Sequence, residues 1–137
     1  MQQRAGKRSS CPIHATLEIV GDRWSLLVVR DLLFAGFRTY NELLSSDEGI
    51  ATNILADRLA RLEATGILTS RRDPDDGRRS LDRLTAKGLD LAPVLLELGV
   101  WGAKHEGGVA PAGLHRRWKT DRDGVLAELR ARWLESR

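Results

Sequence analysis

The sequence predicts a mainly α fold carrying one small β-hairpin (α+β), and three observations predict it. Apolar residues recur at helical spacing along most of the 137-residue chain. Two helical segments are separated only by the brief polar turn "SSDEG". Directly after them, two short arginine-flanked segments are joined by "DPDDG", a turn built on Pro74 and Gly77. A chain of this length makes one ordinary domain with a core of its own. With 42% hydrophobic and 30% charged residues, the composition is that of a water-soluble globular protein. No apolar run approaches the roughly 20 residues a membrane span needs, so no membrane partner is expected. The longest near-apolar stretch, Trp24 to Phe37, is broken by Arg30 and Asp31. The polar, basic start "MQQRAGKRSS" reads as a flexible arm over residues 1–10 rather than a secretory signal, which predicts a cytoplasmic protein.

In chain order, Ile13, Leu17 and Val20 mark a first helix, with Gly21 as its stop and Asp22 as the cap of the next. "RWSLLVVRDLL" is apolar nearly all round, as a helix buried on most sides would be, with Trp24, Leu27, Val28 and Leu32 as core. Thr39 and Glu42 stand in capping-box relation at the start of a short helix ending near Ser45. In "IATNILADRLARLEATGIL", Leu55, Leu59 and Leu62 form one stripe and Gly66 ends the helix. At 100° per residue the opposite face carries Asn53, Ala56, Asp57 and Ala60, with Thr52 on the first turn and Arg58 and Arg61 toward the flanks. "ILTSRR" and "RRSLDRL" are the two strands of the hairpin. Thr85 then caps a long helix, about 86–105, that Pro93 should bend near its first third. Residues 106–119, with "EGGVAPAG", read as a linker, and 120–137 as a last amphipathic helix capped by Thr120 and Asp123.

Catalytic and metal chemistry find little support. The single Cys11 and three scattered histidines, His14, His105 and His115, lack zinc-site spacing and form no nucleophile–base set, so no metal, cofactor or catalytic residue is expected. The net charge of +3 and pI near 9.5 permit nucleic-acid binding without requiring it.

Two helices, a helix-turn-helix, a hairpin and a further helix follow one another in the order of a winged helix. A recognition helix fits the major groove, about 12 Å wide, and its first residues meet base edges. The face of Thr52, Asn53, Ala56 and Asp57 suits that task, since alanines permit close approach and the polar residues can hydrogen-bond to bases. Arg78 and Arg79 of the hairpin are the stronger candidates for backbone or minor-groove contact, ahead of Arg71 and Arg72. Arg38, beside Thr39 at a helix N-terminus that favours anions, is a further phosphate candidate. The competing reading makes these a solvated face, with the wing arginines paired to Asp73, Asp75 and Asp76.

"CPIHATLEIVGDRWSLLVVRDLL", "GFRTYNELL", "GIATNILADRLARLEATGIL", the hairpin and "LTAKGLDLAPVLLELGVWGAKH" together resemble the HxlR family of bacterial winged-helix transcriptional regulators, related to the MarR type, over residues 11 to about 105. The resemblance implies a homodimer on double-stranded operator DNA, with the second helix of the helix-turn-helix as reader and the hairpin as wing; the leading expectation is a repressor, the alternative an activator. The apolar surplus of the long helix and the first helix makes N- and C-terminal helices the expected dimerisation elements, with Ile13, Leu17, Leu95, Leu98 and Trp101 as interface candidates; the competing reading has the last helix cover that surplus within the same subunit. The resemblance also implies an oxidant-sensing role for a cysteine in a "CP" position such as Cys11, and leaves a small-molecule or oxidant effector as an open partner. Where the family commonly has a tyrosine shortly before its "LT" pair, this chain has Asp82. The alternative function is a winged helix used for protein docking, which would call for an apolar recognition face.

Overall fold

The computed structural model describes residues 9–108 and 113–136. Most of the expected N-terminal arm, residues 1–8, lies outside the described residues. Helix α1 (Pro12–Val20) starts on Pro12, whose missing amide costs nothing in a first turn. It stops at Gly21, whose amide donates to the Leu17 carbonyl at 2.7 Å. Asp22 then caps α2 (Ser25–Arg30) by accepting from the amides of Trp24 and Ser25, both at 3.0 Å.

Beyond α2 the chain widens into a π-helical turn, Asp31–Ala35, closed by Gly36 in the left-handed region (φ 73°). This turn revises the expected core. Val28 is buried as expected, but Trp24, Leu27 and Leu32 are only half-buried, while Val29 and Leu33 sit fully inside. A π turn advances fewer degrees per residue than an α turn, so it delivers Leu33 rather than Leu32 to the core. Helical periodicity alone carries no sign of that offset.

The helix-turn-helix forms as the sequence predicts. Thr39 accepts from the Glu42 amide at 3.1 Å and Glu42 accepts from the Thr39 amide at 3.0 Å, closing the capping box of α3 (Tyr40–Leu44). Ile50, 7% exposed, plugs the turn, and α4 (Thr52–Ala64) buries Leu55 and Leu62 with Leu59 half-buried. Gly66, at φ 82°, ends it. Strands β1 (Leu68–Arg72) and β2 (Ser80–Leu84) pair antiparallel, with Leu68 opposite Leu84 and Arg72 opposite Ser80. Arg78 and Arg79, read as the start of the second strand, belong instead to the turn.

Three expectations about the C-terminal half need correction. The single bent helix of 86–105 is two helices, α5 (Ala86–Leu89) and α6 (Ala92–His105), with Thr85 capping the first through the Gly88 amide at 3.1 Å. Pro93 can neither donate to nor pass the carbonyl four residues back, so it opens a new helix where its lack of an amide is harmless. The linker of 106–119 contains a helix, α7 (Leu114–Thr120), whose Trp118 is 1% exposed and donates its indole N–H to Glu97 at 2.8 Å. Finally, α8 (Arg122–Glu135) is capped by Asp121, which accepts from the Gly124 amide at 3.0 Å, while the Thr120 hydroxyl turns back to the Arg116 carbonyl.

Val125 and Leu129 of α8 join the same core as α2, α4 and the hairpin. Two glycines mark close approaches: a side chain at Gly88 would meet the Ile67 carbonyl, and one at Gly99 would meet the His115 ring of α7.

Candidate nucleic-acid interface

The middle and last turns of α4 (Ala56, Leu59, Ala60 and Glu63), the start of α3 and the hairpin line an open groove of about 560 Å³. On α4, Thr52, Asn53, Ala56, Asp57, Ala60 and Arg61 are all exposed, on the side opposite Leu55 and Leu62. Small and polar residues therefore form the outer face, and no large apolar side chain interrupts it. Two interactions that sequence reading missed hold this face in place. The Tyr40 hydroxyl donates to the Thr52 carbonyl at 2.9 Å, locking α3 to the start of α4. Arg58 reaches back to Asp22, Nε to Oδ2 at 2.8 Å, pinning the recognition helix to the junction of α1 and α2.

Asp22 is thus both cap and clamp. Burial would raise its carboxyl, but hydrogen bonds from Ser25, from Arg58 and from the Trp24 and Ser25 amides outweigh it and hold the group at about 2. A second clamp joins α2 to the turn before α4: Arg30 donates to both oxygens of Glu48, at 2.9 and 2.7 Å, and to Ser46 at 3.0 Å. The Arg30 guanidinium holds Glu48 at about 2 as well.

The candidate residues do not all face outward together. Arg58 is 20% exposed and committed to Asp22 and Asp57, so it stiffens the helix rather than projecting from it. Asp57 is held by Arg58 at 2.5 Å and lies 3.7 Å from Arg61, yet remains accessible. Arg38 departs furthest from expectation. Its backbone belongs to the capping box, with its amide donating to Glu42 at 2.8 Å, but Nε and Nη2 of its side chain are buried without a hydrogen-bond partner. Thr39 lines the groove, whereas Arg38 turns away from it.

In the hairpin turn, Asp73 is 5% exposed and organises the tip. It accepts from the Asp75 amide at 2.9 Å and from Arg79 Nε at 2.7 Å, and these bonds hold its carboxyl below the usual range. Arg72 donates to the Gly77 carbonyl at 2.5 Å. Arg78 has a side chain 93% exposed and only a 3.4 Å contact to Asp76, and Arg71 is exposed with no ion pair among the described residues. The freest cations are therefore Arg78 and Arg71, while Arg79 and Arg72 serve the tip. Sequence position could not rank them, because the ranking depends on which aspartate folds inward.

Asp82 of β2 is 5% exposed. Burial pushes its carboxyl up, countered by a hydrogen bond from Ser70 on the facing strand, and its amide donates to the Arg38 carbonyl at 2.7 Å.

Away from the groove, Cys11 is exposed at the N-cap of α1. His14 lies 3.8 Å from Glu18. Ile13, Leu17, Leu98 and Trp101 are 70%, 58%, 52% and 60% exposed, whereas Leu95 is half-buried against the core. Among the described residues no group of three or more His, Cys, Asp or Glu is placed to hold a metal ion, and no helix is long and apolar enough to cross a membrane.

A family model described as HxlR-like helix-turn-helix matches residues 19–108. An uncharacterized HTH-type transcriptional regulator of Synechocystis is 36% identical over 93 residues, which are 68% of this chain and 68% of that protein. The chain spans 55% of the length of the mycobacterial HTH-type regulators that it matches at 35% identity. Among solved structures, the candidate transcription factor PA1607 superposes with a TM-score of 0.67 at 38% identity, covering 77% of this chain and 71% of that one. The redox regulator HypR in its oxidized form gives a TM-score of 0.59 at 26% identity, covering 74% of this chain and 100% of its own. The names of these proteins describe regulators of transcription.

Proposed function

Since the chain belongs to the HxlR-like helix-turn-helix family, we propose that it is a homodimeric repressor that binds operator DNA sequence-specifically. The observation that carries the reading is the exposed, small and polar face of α4 set beside the free arginines of the hairpin. In this reading Thr52, Asn53, Ala56 and Asp57 meet base edges in the major groove. Arg61, Arg78 and Arg71 contact phosphates or the adjacent minor groove, with Thr39 at the rim. Arg58 acts indirectly, by holding the helix to Asp22, and Arg38 takes no part in the DNA surface. The protein-docking alternative finds no apolar patch on this face.

Two half-sites about one helical turn apart require two recognition helices. The apolar residues left exposed on α1 and α6, with Ile13, Leu17, Leu98 and Trp101 at their centre and Leu95 behind them, supply the dimer seam. Cys11 adjoins that seam. The likeness to a redox regulator makes it the candidate for oxidant response, two thiols of a dimer giving up two electrons and two protons to the oxidant as one disulfide forms. Unchanged DNA affinity after diamide treatment would remove Cys11 from the mechanism.

The direct test is binding to DNA fragments from the protein's own upstream region across a salt series. Affinity should fall steeply as salt rises. Asn53→Ala should cost about 1–3 kcal/mol and relax sequence choice, whereas Arg78→Ala should weaken all sequences alike and lower the salt slope. Absence of binding to every fragment at low salt would refute the reading.

A further inference from the structure

A second, partly open cavity of about 190 Å³ adjoins the groove and shares Asp82 with it. Its walls come from the π-helical turn and the segment leading to α3, from β2, and from the last turns of α8. Three arginines line it, Arg38, Arg83 and Arg132, together with the aromatic rings of Phe34, Phe37 and Trp133. Two of these arginines are engaged within the protein. Arg132 donates to the Leu33 carbonyl at 3.1 Å, and Arg83 donates to the Trp133 carbonyl at 2.8 Å and stacks over the Trp133 ring at 4.3 Å.

Arg38 is the anomaly. Nε and Nη2 are buried, and neither has an acceptor among the described residues. Buried polar groups without partners are rare in folded proteins, because each forfeits its hydration, and a charged one forfeits most. Nε and an Nη of one guanidinium form the parallel fork that matches the two oxygens of a carboxylate. The one acid on the wall, Asp82, is already engaged by Ser70 on the facing strand. The space exceeds many times the roughly 10–15 Å³ that one water needs, and its aromatic walls suit an apolar body better than a fully hydrated ion.

We propose that this cavity binds a small organic carboxylate with an apolar body, its two oxygens on Nε and Nη2 of Arg38, with Arg132 adding positive charge and Phe34, Phe37 and Trp133 flanking the rest. One wall of this site, Leu129, Arg132 and Trp133, comes from α8, which lies beyond residues 19–108, the part of the chain the family model matches. The site also has a mechanical position. Arg38 joins the α3 capping box through its amide and the hairpin through its carbonyl, so an occupant would bear on both parts of the groove described above. That consequence rests on the DNA-binding reading; the binding site itself does not, and its test uses no DNA.

Calorimetric titration of the full chain with benzoate, benzamide and inorganic phosphate separates the chemistries. Saturable benzoate binding with a Kd of about 1 mM or tighter is expected, with benzamide and phosphate at least about tenfold weaker. R38M should weaken benzoate about tenfold or more while melting no lower than the parent without ligand, because it removes two buried donors that have no acceptor. R132Q, which leaves Arg38 in place, should weaken benzoate by a smaller factor, and it decides the matter if R38M does not fold. Absence of saturable benzoate binding, equal affinity for phosphate, or unchanged affinity in the arginine variants that fold would overturn the proposal.

Discussion

Replacing Asp22 by Asn removes one negative charge while keeping nearly the same shape, and its cost can be worked from the structure. The Asp22 carboxyl is held at about 2 against an ordinary 3.8. At about 1.4 kcal/mol per tenfold change in proton affinity, the charged form is favoured in the folded state by about 2 kcal/mol. Asp22 and Arg58 are only 22% and 20% exposed, so solvent screens the pair little. D22N should therefore unfold in urea with about 2 kcal/mol less stability at pH 7, or melt roughly 5–10 °C lower. A carboxyl whose folded-state value is depressed contributes fully above 3.8 and loses that contribution as pH falls through about 2. The gap between parent and variant should thus shrink to about half by pH 3. Because Arg58 loses its charged anchor, DNA affinity should fall as well, although neither residue 22 nor Arg58 is placed on bases. A gap below about 0.5 kcal/mol at pH 7, or one that stays constant down to pH 3, would refute the assignment of Asp22 as a charged clamp.

Three further outcomes are expected. Glu48→Gln removes the Arg30 clamp; with both side chains 32% exposed, screening leaves about 1 kcal/mol, present above 4.5 and fading as pH falls toward 2, measurable as a pH-dependent urea midpoint difference. Gly88→Ala drives a methyl into the Ile67 carbonyl and against Leu84, so it should cost about 2 kcal/mol or more by thermal or urea unfolding, and a neutral result would show that α5 can shift. Leu17→Glu or Trp101→Glu should convert the protein to monomers in sedimentation velocity with its helical content unchanged; a monomeric parent at micromolar concentration would remove the dimer seam.

Much of the helix-turn-helix and hairpin was legible because its signals are local. A Thr and a Glu three residues apart make a capping box wherever the chain lies, a glycine after a leucine stripe ends a helix, and Pro and Gly between short strands make a turn. The face of α4 followed from the same local rule, since three leucines fix one side of a helix and leave the other. What failed to follow were features whose cause lies elsewhere in the chain. Helix α7 was hidden because its stabilising contact, Trp118 on Glu97 and the core, bridges 21 positions while its flanks are glycine and proline. The helix break at Leu91 was misjudged in kind, a bend being expected where packing allowed two separate helices.

Sequence alone determined that this chain folds as a mainly helical domain with one hairpin, and which side of α4 faces outward, because propensity, capping and periodicity act within a few residues. Tertiary structure decided which charged groups remain available. It sent Arg58 to Asp22, 36 residues away, and Arg79 to the inward-turned Asp73, and it buried the fork of Arg38 behind α8. The physical reason is that a charge acts through space on whatever the fold brings within a few ångströms, and a guanidinium on a long side chain takes its role from that neighbour rather than from its place in the chain.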